Sequence, residues 1–152
     1  MKVSTEVNIN VNKVDVWKVI TDIENSINVV SSINKIEVID KPQNSLEGLK
    51  WEETRTMFGK EATETMWITG SEENEYYHTR AESHGSVYIT KLSLNESDNS
   101  TKLTMSFEGI PQTATAKILS FLMSPMIKSS MKKALAKDLC DIKKHLEKQA
   151  NN

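Results

Sequence analysis

The chain has 152 residues, of which 38% are hydrophobic and 26% charged, with a formal net charge of −2. A chain of this length buries roughly two-thirds of its unfolded surface without a metal or disulfide staple, and its single cysteine, Cys140, excludes an internal disulfide. No apolar run approaches the ~20 residues that a membrane helix needs, and the N-terminus MKVSTEVNIN has no continuous apolar segment of the signal-peptide kind.

These features predict a cytoplasmic protein, with residues 1–150 as a single domain. The charge is unevenly placed. Residues 111–152 carry about +5 and residues 1–110 about −7, as expected for a lysine-rich helix beside an acidic sheet. Arg, the better reader of phosphates and bases, occurs only at Arg55 and Arg80, so no nucleic-acid partner is expected.

Residues 2–11 alternate cleanly. Val3, Thr5, Val7, Ile9 and Val11 share one face of a strand, with Lys2, Ser4, Glu6, Asn8 and Asn10 on the other. The period then changes. Val16, Trp17, Ile20, Ile23 and Ile27 fall at helical spacing after Asn12, a residue suited to capping a helix N-terminus. A break near residues 22–28 splits this region into one helix and a shorter one.

Six strand-like runs follow: 34–40, 49–58, 61–69, 75–83, 86–95 and 101–108. Turn-forming residues separate them, including Gly59-Lys60, Gly70-Ser71 and His84-Gly85. With such short connections the strands should pair antiparallel as a meander. The last third is one helical pattern, with Leu119, Leu122, Met123, Met126, Ile127, Met131, Leu135, Leu139, Ile142 and Leu146 three or four apart. Pro125 lies inside it and predicts a kink or short break. Cys140 reads as a small packing residue beside that stripe.

The stretch WEETRTMFGKEATETMW, residues 51–67, carries the chemistry. Alternation places Trp51, Glu53, Arg55 and Met57 on one face. On the next strand Ala62, Glu64, Met66 and Ile68 share a face, so Glu64 is placed to join Arg55 across the strands. The strand after that puts Tyr76, His78, Arg80 and Glu82 on one side and Tyr77, Thr79 and Ala81 on the other. The face with Tyr76 and His78 offers ionisable and aromatic groups to a cavity, or else these groups, like Glu53 and Arg55, make cross-strand charge pairs on the wet side of the sheet. Met123, Met126 and Met131 read either as core or as a flexible apolar wall. There is no metal-ligand spacing, no glycine-rich phosphate loop and no nucleophile motif, so no metal or cofactor is expected.

Four stretches, VDVWKVITDIEN, GLKWEETRTMFGKEATET, KLTMSFEG and MKKALAKDLCDIKKHLE, resemble the helix-grip superfamily of steroidogenic-acute-regulatory-related (START) lipid-transfer domains, birch-pollen-type allergens and polyketide cyclases. The likeness is closest to the small bacterial SRPBCC, or polyketide cyclase/dehydrase, proteins. In MKKALAKDLCDIKKHLE, Asp138-Leu139 and Lys143 fit the closing helix of that pattern. The resemblance implies an α+β fold, a seven-stranded antiparallel sheet wrapped around a long C-terminal helix, with two short helices between strands 1 and 2 and a ligand cavity between sheet and helix.

Three functions follow as expectations. The first is binding of a small hydrophobic or amphipathic ligand such as a lipid, polyketide or isoprenoid. Its site would be Trp51, Glu53, Arg55, Met57, Glu64, Met66, Tyr76, His78, Met123, Met126 and Met131. Arg55 would meet a carboxylate or carbonyl of the guest. The second is a polyketide cyclase or dehydratase activity, with Glu53 and His78 exchanging protons and Arg55 or Tyr76 stabilising an enolate. The third is a protein-interaction module that uses the sheet edge or the lysine face.

Overall fold

The computed structural model describes residues 1–152. Seven strands form one antiparallel sheet in the order β1-β7-β6-β5-β4-β3-β2. They are β1 (Lys2–Ile9), β2 (Ile33–Asp40), β3 (Lys50–Met57), β4 (Lys60–Glu72), β5 (Tyr76–Ser83), β6 (Ser86–Ser97) and β7 (Ser100–Pro111). Helix α1 (Lys13–Thr21) and a 3-10 helix (Ile23–Asn28) carry the chain from β1 at one edge to β2 at the other. Helix α2 (Ala114–Ala150) closes the structure. The expected seven-stranded sheet, short helix pair and long closing helix are all present. The meander holds from β2 to β7, and β1 adds itself beside β7.

Local chemistry explains the hairpins. Three two-residue loops, Phe58-Gly59, His84-Gly85 and Asp98-Asn99, have both residues at positive φ. This is the type I′ geometry whose twist matches the flanking strands. The side chain of Asn12 accepts from the Asp15 amide to cap α1, and Thr113 does the same for Ala116 at the start of α2. Gly85 anchors that start. Its carbonyl accepts from the amides of Gln112 and Thr113, and a Cβ there would meet the Thr113 hydroxyl at 2.7 Å.

Helix α2 runs 37 residues, about 55 Å at 1.5 Å per residue. The break expected at Pro125 is absent. The helix continues through Pro125, which has no N–H to donate to the Phe121 carbonyl. From Met131 on, the helix buries Met131, Leu135, Leu139, Ile142 and Leu146. These join Val3, Ile9, Leu103 and Met105 of the outer strands and Val16 and Ile20 of α1 in one core. Cys140, expected beside this stripe, is exposed instead, one position past Leu139 and turned away from the sheet.

Candidate functional site

Between the sheet and α2 lies a cavity of about 410 Å³, and 22 of its 29 lining residues are hydrophobic. Strand β3 gives it Trp51, Glu53, Arg55 and Met57, and β4 gives Ala62, Glu64 and Met66. The alternation read from the sequence therefore places both strands correctly. The antiparallel register sets Glu53 opposite Glu64 and Arg55 opposite Ala62.

The charged group in this cavity is a chain of five side chains joined by four hydrogen bonds. The Nε of Arg55 donates to Oε1 of Glu53 at 2.7 Å. One terminal nitrogen of Arg55 donates to Oδ2 of Asp138, on α2, at 2.9 Å. The indole of Trp51 donates to the other oxygen of Glu53 at 3.3 Å, and the Ser32 hydroxyl donates to the other oxygen of Asp138 at 3.0 Å. Glu53 and Asp138 are both buried. Buried carboxylates persist when paired and hydrogen-bonded, and here each oxygen has a donor. Desolvation opposes the charge on Arg55. The attraction of Glu53 and Asp138, with their hydrogen bonds, outweighs it and raises the guanidinium pKa above its ordinary value.

The bridge from Arg55 to Glu64 is not made. Glu64 lies diagonal to Arg55 in the ladder, and Asp138 reaches the guanidinium from the helix above. Glu64 faces the cavity without an ion-pair partner. The sequence contained a signal for Asp138. It falls three residues after Leu135 on the apolar stripe of α2, where a carboxylate needs a partner opposite.

Strand β5 turns the other way from the expectation. Tyr77, Thr79 and Ala81 line the cavity. Tyr76 and His78 stand on the outer face, their rings 5.1 Å apart, with the Lys91 ammonium 4.6 Å over Tyr76. The ladder explains this, because the inward Met66 and Ile68 of β4 pair with Ala81 and Thr79. Burial, then Lys91, lowers the His78 pKa. Tyr77 donates its hydroxyl to the Ile20 carbonyl at 2.9 Å. Burial, and next the Glu53 charge, raise its pKa, so the phenol stays neutral. The expected acid–base pair of Glu53 and His78 is thus split between the two faces of the sheet, and Tyr76 is likewise outside the cavity.

Of the three methionines on α2, Met131 lines the cavity. Met123 and Met126 are exposed, in the stretch between Ala116 and Met131 where the helix buries no side chain. Tyr88 and Phe107, stacked at 5.7 Å between β6 and β7, complete the wall. The sequence reading missed both, since the charges on these strands, such as Lys91 and Glu108, fall on the alternate face. No group of ligating side chains is arranged to hold a metal ion.

Residues 1–147 match the family described as polyketide cyclase/dehydrase and lipid transport. The chain belongs to this family. No curated protein sequence matches it. Among solved structures, this polyketide cyclase/dehydrase-family chain is similar to the Zhui aromatase/cyclase from Streptomyces sp. R1128, with 13% identity, TM-score 0.81, and coverage of 99% of this chain and 95% of that one. It is similar to a START superfamily protein from Mycobacterium smegmatis, at 14% identity and TM-score 0.79, covering 97% and 98% of the two chains. TTHA0849 from Thermus thermophilus is similar at 12% identity and TM-score 0.81, covering 98% and 99%. At these identities the likeness is one of fold.

Proposed function

We propose that the protein binds a small hydrophobic or amphipathic molecule in the cavity between sheet and α2. The observation that carries this reading is a chamber of about 410 Å³ with mostly apolar walls and one hydrogen-bonded charged group. Small-molecule sites have this composition, apolar surface for affinity and a few polar groups for orientation. Displaced apolar area contributes about 25 cal/mol per Å². Two nitrogens of Arg55 are committed to Glu53 and Asp138, which leaves its remaining N–H groups to a carbonyl or hydroxyl of the guest. The charged side chains around the cavity are Arg55 against Glu53, Glu64 and Asp138. That balance disfavours a carboxylate guest and favours a neutral polar end or one that donates hydrogen bonds. The family description and the aromatase/cyclase neighbour support a polyketide- or lipid-like guest.

The test uses N-phenyl-1-naphthylamine, a neutral apolar fluorophore. The wild-type protein should enhance its emission saturably, and Ala81→Trp, which fills the cavity from β5, should abolish the enhancement with the fold intact by circular dichroism. Equal binding by the filled variant would overturn the reading.

A further inference from the structure

The first half of α2 has an exposed apolar surface that the cavity does not explain. Between Lys117 and Lys128 the sequence ILSFLMSPMI contains no charge. Phe121 is 84% exposed, Leu122 70%, Met126 67% and Ile118 63%. Successive residues of a helix are about 100° apart, so these four side chains cover most of the circumference facing away from the cavity. A helical segment so largely apolar is ordinarily buried in protein or lipid, yet most of these side chains stand in solvent. Monomeric proteins rarely leave such contiguous surface uncovered without a use for it.

A second exposed aromatic lies at the cavity mouth. Phe58 lines the cavity and is 59% exposed at the tip of the β3–β4 hairpin. Its φ is +53°, a conformation unfavourable for a bulky side chain and normally given to Asn, Asp or Gly. Such strain persists where a function requires it. Ile127 also lines the cavity and directly follows Met126, so the apolar helix segment ends at the cavity wall.

Charge selects the occupant. From Gln112 to Lys137 the chain holds five lysines, Lys117, Lys128, Lys132, Lys133 and Lys137, and no acidic residue. A symmetric pairing of two copies through this face would bring like charges together. An apolar helix surface beside a lysine cluster suits an anionic lipid interface. No helix here is long and apolar enough to cross a membrane. We propose that residues 118–126 of α2, with Phe58, dock the protein on the surface of an anionic lipid bilayer.

Vesicle flotation tests this directly. The protein should float with phosphatidylcholine vesicles containing phosphatidylglycerol and much less with phosphatidylcholine alone, and added salt should weaken the binding. Phe121→Asp with Leu122→Asp, both at exposed positions, should abolish flotation while circular dichroism stays unchanged. Lys128→Glu with Lys132→Glu should lower partitioning by at least ~25-fold, taking roughly fivefold for each lysine lost. Ala81→Trp should still float, which separates this inference from the ligand reading. Three results would overturn the proposal: no flotation with the anionic vesicles, flotation indifferent to the aspartates, or sedimentation as a dimer that these aspartates dissociate.

Discussion

Replacing Arg55 by Met tests the account of the charged chain. Methionine keeps much of the length and apolar stem of arginine but removes the only cation between Glu53 and Asp138. Those carboxylates have side-chain exposures of 9% and 7%, and their bonds to Arg55 are 2.7 and 2.9 Å. Removing one partner from a buried ion pair costs about 3–5 kcal/mol, because the remaining charge is left uncompensated. With a urea dependence of about 2 kcal/mol per molar, the denaturation midpoint should fall by about 1.5–2.5 M. At about 2–4 °C per kcal/mol, melting should fall by roughly 6–20 °C. The triple variant Glu53→Gln, Arg55→Met, Asp138→Asn leaves no charge to strand, and should return to within about 1–2 kcal/mol of wild type. Equilibrium urea titration followed by tryptophan fluorescence measures all three proteins. A loss below ~1 kcal/mol for Arg55→Met, or a triple variant as unstable as the single, would refute the reasoning.

Tyr77→Phe should cost about 1–2 kcal/mol in the same titration, since it leaves the buried Ile20 carbonyl without its donor. Gly85→Ala should lose more than ~1 kcal/mol, because φ is +74° and the new Cβ would strike Thr113. Hydrogen exchange should show the first turn of α2 opening earlier. Burial opposes ionisation of Asp141, but the hydroxyl and amide of Ser31 and the charge of Lys137 prevail, so its pKa is lowered from 3.8. The unfolded chain then binds the proton more readily than the folded one. The stability from Asp141 is complete above the ordinary value and is lost as pH falls through the lower folded value. Asp141→Asn should flatten the stability–pH curve in that acid range, and an unchanged slope would count against this assignment.

The sequence showed most of the fold and which faces of β3 and β4 turn toward the cavity. Period-two alternation in residues 2–11 and 51–57 identified strands and the faces they bury, because an apolar core enforces it. The face of β5 was misread because both of its sides carry aromatic rings, and ionisable groups suggested chemistry where the ladder required small side chains. Asp138 was visible as a carboxylate on an apolar helical stripe, yet its partner lies 83 positions earlier, and pattern within one element carries no information across that distance. The exposure of Met123 and Met126 was equally hidden. Helical spacing shows which residues share a side, but not how far the opposing sheet extends.

Helix α2 is held at its start by Gly85 and, from Met131 on, by its buried face and by Arg55 through Asp138. It behaves as a beam clamped at both supports, so it cannot swing outward like a hinged door without rupturing an ionic contact. A guest bound as proposed would then pass by rotation of a few side chains at the rim and slight bowing of the exposed span between the supports. Exchange on those terms should proceed while the rest of the framework stays at rest.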